Sequence, residues 1–329
     1  MMGKAGWKII AIALLLCTSA VGQSIDDLKK CVAFVFGRVH VKSADGTLAS
    51  GPNGQPLLLE MPLGTAFFVG YPDPRGGSDY LFGYLVTAKH VLKDVDGNYL
   101  KSVKLRVNLI TPQTNSDLTF GEIPVTDDAG KLLWFEDKDD PQNDVAVLPA
   151  LPDIKLIEFK VIPIAMFADS DLLHKRSVQE GDSVYLFGLM PQYYGEKRNY
   201  PVVRRGTLAL MTDEAIQTGP DTRQHAYLAE LASWPGNSGA PVFLNLSGLR
   251  TGTITGGSDF HLLGLMLGYF SNVRQANIVE ARSIAGGDPS NIGISFILPA
   301  STIRKVLDST PLQQMRDSAI KSLPAPIGK

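Results

Sequence analysis

The segment Trp234-Pro235-Gly236-Asn237-Ser238-Gly239-Ala240-Pro241 holds a serine between glycines, a setting in which a hydroxyl can serve as a nucleophile. Glycine adopts positive φ at little cost, so the chain can turn sharply here and leave the side chain at the tip. The amides of Gly236 and Ser238 can then converge on one point and stabilise a developing oxyanion. The oxyanion hole is accordingly placed on the turn Gly236–Asn237, ahead of the nucleophile. By itself Gly-Asn-Ser-Gly is also an ordinary turn, so the remaining chain has to decide between the two.

A serine hydroxyl is a weak nucleophile and needs a base to take its proton, with a carboxylate to orient that base. Both stand at the ends of apolar runs. Leu85-Val86-Thr87-Ala88-Lys89-His90-Val91-Leu92 reads as a buried strand that delivers His90 to its end, and Asn143-Asp144-Val145-Ala146-Val147-Leu148 puts Asp144 at the mouth of another. The chemistry predicted is acyl transfer, with His90 as base, Asp144 as its orienting partner and Ser238 as nucleophile. Their chain order is His, Asp, Ser. α/β-Hydrolases run Ser, Asp, His and the subtilisin type runs Asp, His, Ser, so the order points to a chymotrypsin-type double barrel.

The elements needed to hold these residues are short strands. Val32 to Phe36, Thr65 to Val69, Tyr80 to Val86, Val103 to Ile110 and Val145 to Leu148 are expected to build a first barrel. Val184 to Phe187, Val202 to Leu210, Ala226 to Leu231, Pro241 to Leu244, Leu262 to Phe270 and Gly293 to Leu298 are expected to build a second, with the crossing near Ala150 to Lys160. Lys104 to Leu109 alternates apolar and polar, which predicts a strand with one wet face. After Pro299 the spacing turns helical, with Ile303, Val306 and Leu307 on one face.

At this level of detail the chain resembles the trypsin-like serine peptidases of the chymotrypsin fold, and among them the bacterial Deg-type protease domain without a PDZ module. The matching pieces are Gly64-Thr65-Ala66-Phe67-Phe68-Val69, Val86 to Val91, Asn143 to Val147, Gly236 to Pro241, Leu263 to Leu267 and Gly293 to Pro299. The resemblance implies an all-β protein of two antiparallel six-stranded barrels with a short C-terminal helix, and an active-site cleft between the barrels. It implies a polypeptide substrate and no cofactor. By family spacing the pocket base falls at Ala232; an uncharged floor cannot neutralise a buried Arg or Lys, so small or aliphatic side chains are expected at the cleaved position. Leu267, Gly268 and Tyr269 are expected to line the substrate, which would add to their strand edge. Digestive members carry an aspartate before the serine that pairs with a freshly cut N-terminus. Asn237 cannot make that ion pair, so no such cleavage is expected, and Leu189 to Tyr200 is the loop expected to set the oxyanion hole.

Composition narrows the class. The chain has 329 residues, a formal net charge of −2 and 44% hydrophobic residues. That suits two packed barrels and gives no surface for nucleic acid. Lys4 and Lys8 precede an apolar run from Ile9 to Cys17 that is too short for a bilayer span of about 20 residues. It reads as a signal peptide, residues 1–22, with Ala20 and Gly22 at the cleavage site, and implies a secreted or periplasmic bacterial protein with no stable membrane anchor. The division expected is a signal at 1–22, an N-terminal barrel at 23–155, a C-terminal barrel with its helix at 156–310 and a tail at 311–329. Cleavage would leave Cys31 alone, a core residue rather than half of a disulfide. His40, His174, His225 and His261 show no metal-ligand spacing, so no metal is expected. Two other readings use the same residues: a catalytically silent barrel that binds polypeptides, and an esterase or acyltransferase.

Overall fold

The computed structural model describes residues 14–16, 24–42, 47–51, 53–75, 80–113, 116–219, 221–250, 253–271, 278–280 and 291–322. The signal segment 1–22 lies outside these residues apart from Leu14–Leu16, which run antiparallel to Tyr80–Phe82. Among the described residues no helix is long and apolar enough to cross a membrane.

The first half is one curled sheet. Its strands are β1 (Val32–His40), β2 (Leu58–Pro72), β3 (Tyr80–Thr87), β4 (Ser102–Gln113), β5 (Ser116–Pro124) and β6 (Ala146–Pro149). They pair in the order β6-β3-β2-β1-β4-β5, each pair antiparallel. Beyond β5 the chain returns so that Phe135 exchanges two backbone hydrogen bonds with Val147 of β6, at 2.7 and 2.8 Å, and these link the two ends of the sheet. Ala33, Phe34, Phe67, Phe68, Leu85 and Val86 fill the interior. β5 was not anticipated: its Phe120 is 39% exposed and Ile123 is buried, so its periodicity is weak.

The second half is a closed barrel of six strands. β7 (Ser183–Gly188), β8 (Val202–Leu210), β11 (Tyr227–Glu230), β12 (Pro241–Asn245), β13 (Phe260–Ser271) and β15 (Asn291–Pro299) pair around the ring β12-β7-β8-β11-β15-β13, and β13 closes it onto β12. A hairpin of β9 (Ile216–Gly219) and β10 (Thr222–Gln224) projects between β8 and β11, and β14 (Ile278–Glu280) pairs with β13. Val184, Leu186, Val242, Leu244, Leu263 and Ile297 form its separate core. The fold is therefore the expected all-β one, a closed six-stranded barrel beside a second sheet.

The C-terminal stretch differs from expectation. The helix predicted after Pro299 is Ala300–Leu307, with Ile303, Val306 and Leu307 buried. Residues 311–322, read as part of a tail, belong to a second helix, Thr310–Ser322. Arg316 is the reason: it is 4% exposed, donates to Tyr84 Oη and Leu307 O at 2.9 Å each, and lies 3.9 Å over the Tyr71 ring. The helix thus packs back onto the first half. Cys31 is buried in the core and donates to Leu28 O at 2.8 Å. Burial pushes its thiol far above the ordinary range, so the core reading of this residue holds.

Candidate active site

His90 leaves the end of β3 on a single 3₁₀ turn, Lys89–Leu92, whose four residues are all buried. Asp144 stands two residues before β6, which pairs with β3, so the sheet brings their side chains together. The Asp144 carboxylate accepts the His90 backbone N–H on Oδ1 at 3.0 Å and meets His90 Nδ1 on Oδ2 in a short contact. Burial alone would raise its pKa, but the charge and hydrogen bonds of His90 outweigh that and hold it at about 2. A charged carboxylate can only accept, so His90 Nδ1 carries a proton and Nε2 is the ring nitrogen left to act as a base. Nε2 is buried and has no hydrogen-bond partner among the described residues.

Ser238 sits on the connection into β12, as predicted. Asn237 N donates to Trp234 O at 3.0 Å and Gly236 has φ +92°, which makes Trp234–Asn237 a tight turn with proline second and glycine third, the sequence of a type II turn. This corrects the oxyanion-hole assignment at one atom: the Asn237 amide closes the turn and cannot serve. The Gly236 and Ser238 amides donate to nothing among the described residues. The Asn237 side chain locks the turn instead, with Oδ1 accepting from Trp234 N at 2.9 Å and Nδ2 donating to Leu189 O at 2.7 Å.

The first half braces the same turn. Thr65 Oγ1 donates to Gly236 O and accepts from Leu189 N, both at 2.9 Å, and Thr65 N donates to Ser238 O at 2.9 Å. Gly239 has φ +78°, and a Cβ there would run into Thr65 O and Thr87 Oγ1. Gly239→Ala is expected to destabilise the fold by about 3 kcal/mol or more, since it adds left-handed strain to a steric clash; chemical denaturation of the purified variant checks this.

The loop Leu189 to Tyr200 is tied to this turn at one end and to the first half at the other. Arg106, on the face of β4 read as wet, is 3% exposed because this loop covers it. Its guanidinium donates to Gly195 O at 2.5 Å, Asn199 Oδ1 at 2.8 Å and Tyr194 O at 3.1 Å. Sequence alternation correctly placed Arg106 opposite the core but gave no sign that another element would bury it.

Two predicted details are not realised. Ser238 is fully buried and its hydroxyl donates to Leu267 O at 3.1 Å, not to His90. Leu267 also lines a pocket of about 220 Å³ with His90 and Asp144, but Ser238 is not part of its lining and the Ser238–His90 hydrogen bond is not made. The substrate-binding residues also differ. The edge of Leu267, Gly268 and Tyr269 is already occupied: Gly268, Tyr269 and Phe270 pair with Glu280, Val279 and Ile278 of β14. A substrate strand can use that edge only where β14 leaves it. Tyr269 is 1% exposed, a core residue rather than a pocket wall. Ala232 is exposed because its neighbours Leu231 and Ser233 turn inward, so no pocket floor forms at that position.

Sequence reasoning also missed Gln224. This residue of β10 is 2% exposed, and its Oε1 accepts the Asp144 backbone N–H at 2.9 Å from the opposite half of the molecule. Nothing in its sequence neighbourhood signals this. Among the described residues no cluster of metal-ligating side chains is found.

A sequence family described as the trypsin-like peptidase domain matches residues 64–249. Among solved structures, the chain is similar to the HtrA-type protease AlgW with decapeptide, at 16% identity over 93% of this chain and 66% of that one, with a TM-score of 0.42. It therefore spans 66% of that protein's length. The MamO protease domain from Magnetospirillum magneticum is similar at 17% identity over 86% of this chain and 98% of that one, TM-score 0.41. Deg5 is similar at 14% identity over 84% and 87%, TM-score 0.42. No curated protein matches the chain.

Proposed function

Because the chain belongs to the trypsin-like peptidase family, we propose that it is an exported serine endopeptidase that cleaves polypeptides through His90, Asp144 and Ser238. The observation that carries this reading is the Asp144–His90 pair, whose Nε2 has no partner among the described residues, together with a serine turn whose Gly236 and Ser238 amides are likewise unengaged among them.

In the proposed reaction the Ser238 hydroxyl turns from Leu267 O toward Nε2 of His90. Its oxygen then attacks the peptide carbonyl carbon while Nε2 takes the proton. The oxyanion is held by the two backbone amides, each worth about 3 to 4 kcal/mol in the transition state. Collapse returns the proton from Nε2 to the leaving amine and leaves an acyl ester on Ser238. Water, deprotonated by the same nitrogen, hydrolyses that ester. Asp144 stays ionised throughout and stabilises the imidazolium.

Two further features belong to the reading. Activation needs no new N-terminus, because the uncharged Asn237 already fixes the turn by hydrogen bonds. Export rests on the segment 1–22, and the secreted or periplasmic location follows from it. A fluorophosphonate probe tests the core of the proposal: wild-type protein is expected to form a covalent adduct at Ser238, located by peptide mapping. A well-folded protein that stays unlabelled, and releases no new N-termini from a peptide library, would overturn it.

A further inference from the structure

Asp144 is held from both halves of the molecule. Its carboxylate belongs to His90, but its backbone N–H points toward the second half and donates to Gln224 Oε1 at 2.9 Å. The other end of that amide, Nε2, donates to Thr218 Oγ1 at 2.7 Å, and both side chains are buried. A backbone N–H can only donate, so it fixes which end of the Gln224 amide faces Asp144. A second bond joins the same segments: Arg223 N donates to Gln142 Oε1 at 3.0 Å. The β9–β10 hairpin that carries these groups forms a two-stranded sheet of its own, outside the ladder of either half. Its contact with the Asp144 segment is therefore made by side chains, not by sheet pairing.

We propose that Gln224 is a positioning residue, fixing Asp144 across the cleft so that the carboxylate meets His90 in the geometry the base requires. The proposal rests on the triad reading given above. With its amide held by Gln224 and its two oxygens by His90, the Asp144 carboxylate has no freedom to rotate. Without Gln224, the peptide at Asp144 loses a buried acceptor and the carboxylate can shift, carrying the imidazole with it. A misplacement of about 1 Å in a catalytic constellation costs about 100-fold in rate. The bond acts on Asp144 and through it on the base, so the loss is expected to fall on kcat.

The test uses the full chain with Gln224→Met, Gln224→Glu and Thr218→Val. Methionine keeps the length and removes the acceptor: kcat is expected to fall about 10- to 100-fold with little change in KM. Glutamate keeps an oxygen for the Asp144 N–H, and the Thr218 hydroxyl can turn to donate to it. It is expected to recover most of kcat, with the acidic limb of the kcat/KM profile moved to higher pH because a new negative charge favours the imidazolium. Thr218→Val leaves Gln224 in place but frees Nε2, and is expected to lower kcat about fivefold, the scale of one hydrogen bond. It keeps the proposal decidable where Gln224→Met does not fold. The downfield proton resonance of His90 Nδ1–H gives a readout independent of turnover, expected to move or broaden in Gln224→Met. Wild-type kcat and an unchanged resonance in that variant, with its melting temperature intact, overturn the proposal. A wild type that shows the resonance but cleaves no peptide instead overturns the peptidase reading, and leaves Gln224 to be judged by the spectrum.

Discussion

Ser238→Ala is expected to lower kcat for peptide hydrolysis by about 10⁶-fold, the scale found when the nucleophile or the base of another serine protease is removed. The fold should tolerate the change. Among the described residues the Ser238 hydroxyl makes one hydrogen bond, to Leu267 O, and the turn is held by Thr65, Asn237 and Gly239 rather than by the serine side chain. Loss of that bond should cost about 1 kcal/mol. His90→Ala should reduce kcat by the same order, and the double variant should be no worse than either single one, since the two act as a unit. Single-turnover kinetics with a fluorogenic peptide, alongside thermal melts, checks both parts. Ser238→Ala protein that retains turnover would remove the nucleophile from the proposal.

Asp144→Asn has the next largest expected effect, about 10⁴-fold in kcat, as in another protease where the same change was made. An amide in this position presents an N–H where His90 Nδ1 needs an acceptor, so the ring is driven to the wrong tautomer and Nε2 loses its basic lone pair. The same carboxylate also makes a pH-dependent contribution to stability. Its pKa is lowered from 3.8 to about 2, so the contribution is complete above about pH 4 and is lost as pH falls through about 2. A shift of that size corresponds to about 2 kcal/mol. The stability gap between wild type and Asp144→Asn should therefore narrow as denaturation is measured from pH 5 down to pH 2. A gap that stays constant across that range would mean that the carboxylate is not held as the structure places it.

Most of the proposed chemistry was legible because its signals are local. The serine turn needs glycine at positions 236 and 239, and both have positive φ. His90 and Asp144 stand beside apolar runs that could only be buried strands. Gly64-Thr65 was visible as a motif, but not its use: Gly64 lacks a side chain because a Cβ would approach Ser238 O within 2.9 Å and crowd Val91. The strand β5 was hidden because only part of its apolar content is buried.

The residue types and their order thus determined the fold class and point to the reacting groups proposed above, since apolar periodicity and turn chemistry act over a few neighbours. Three polar residues show what only the tertiary structure decided. Arg106, Gln224 and Arg316 look like solvent-facing side chains, yet each is buried, with partners 93, 80 and 232 residues away. The same holds for the Ser238 rotamer and for the substrate edge taken by β14. Burying a polar group is tolerable only when a partner meets it, and which partner arrives depends on how distant segments pack, information that no local stretch of sequence contains.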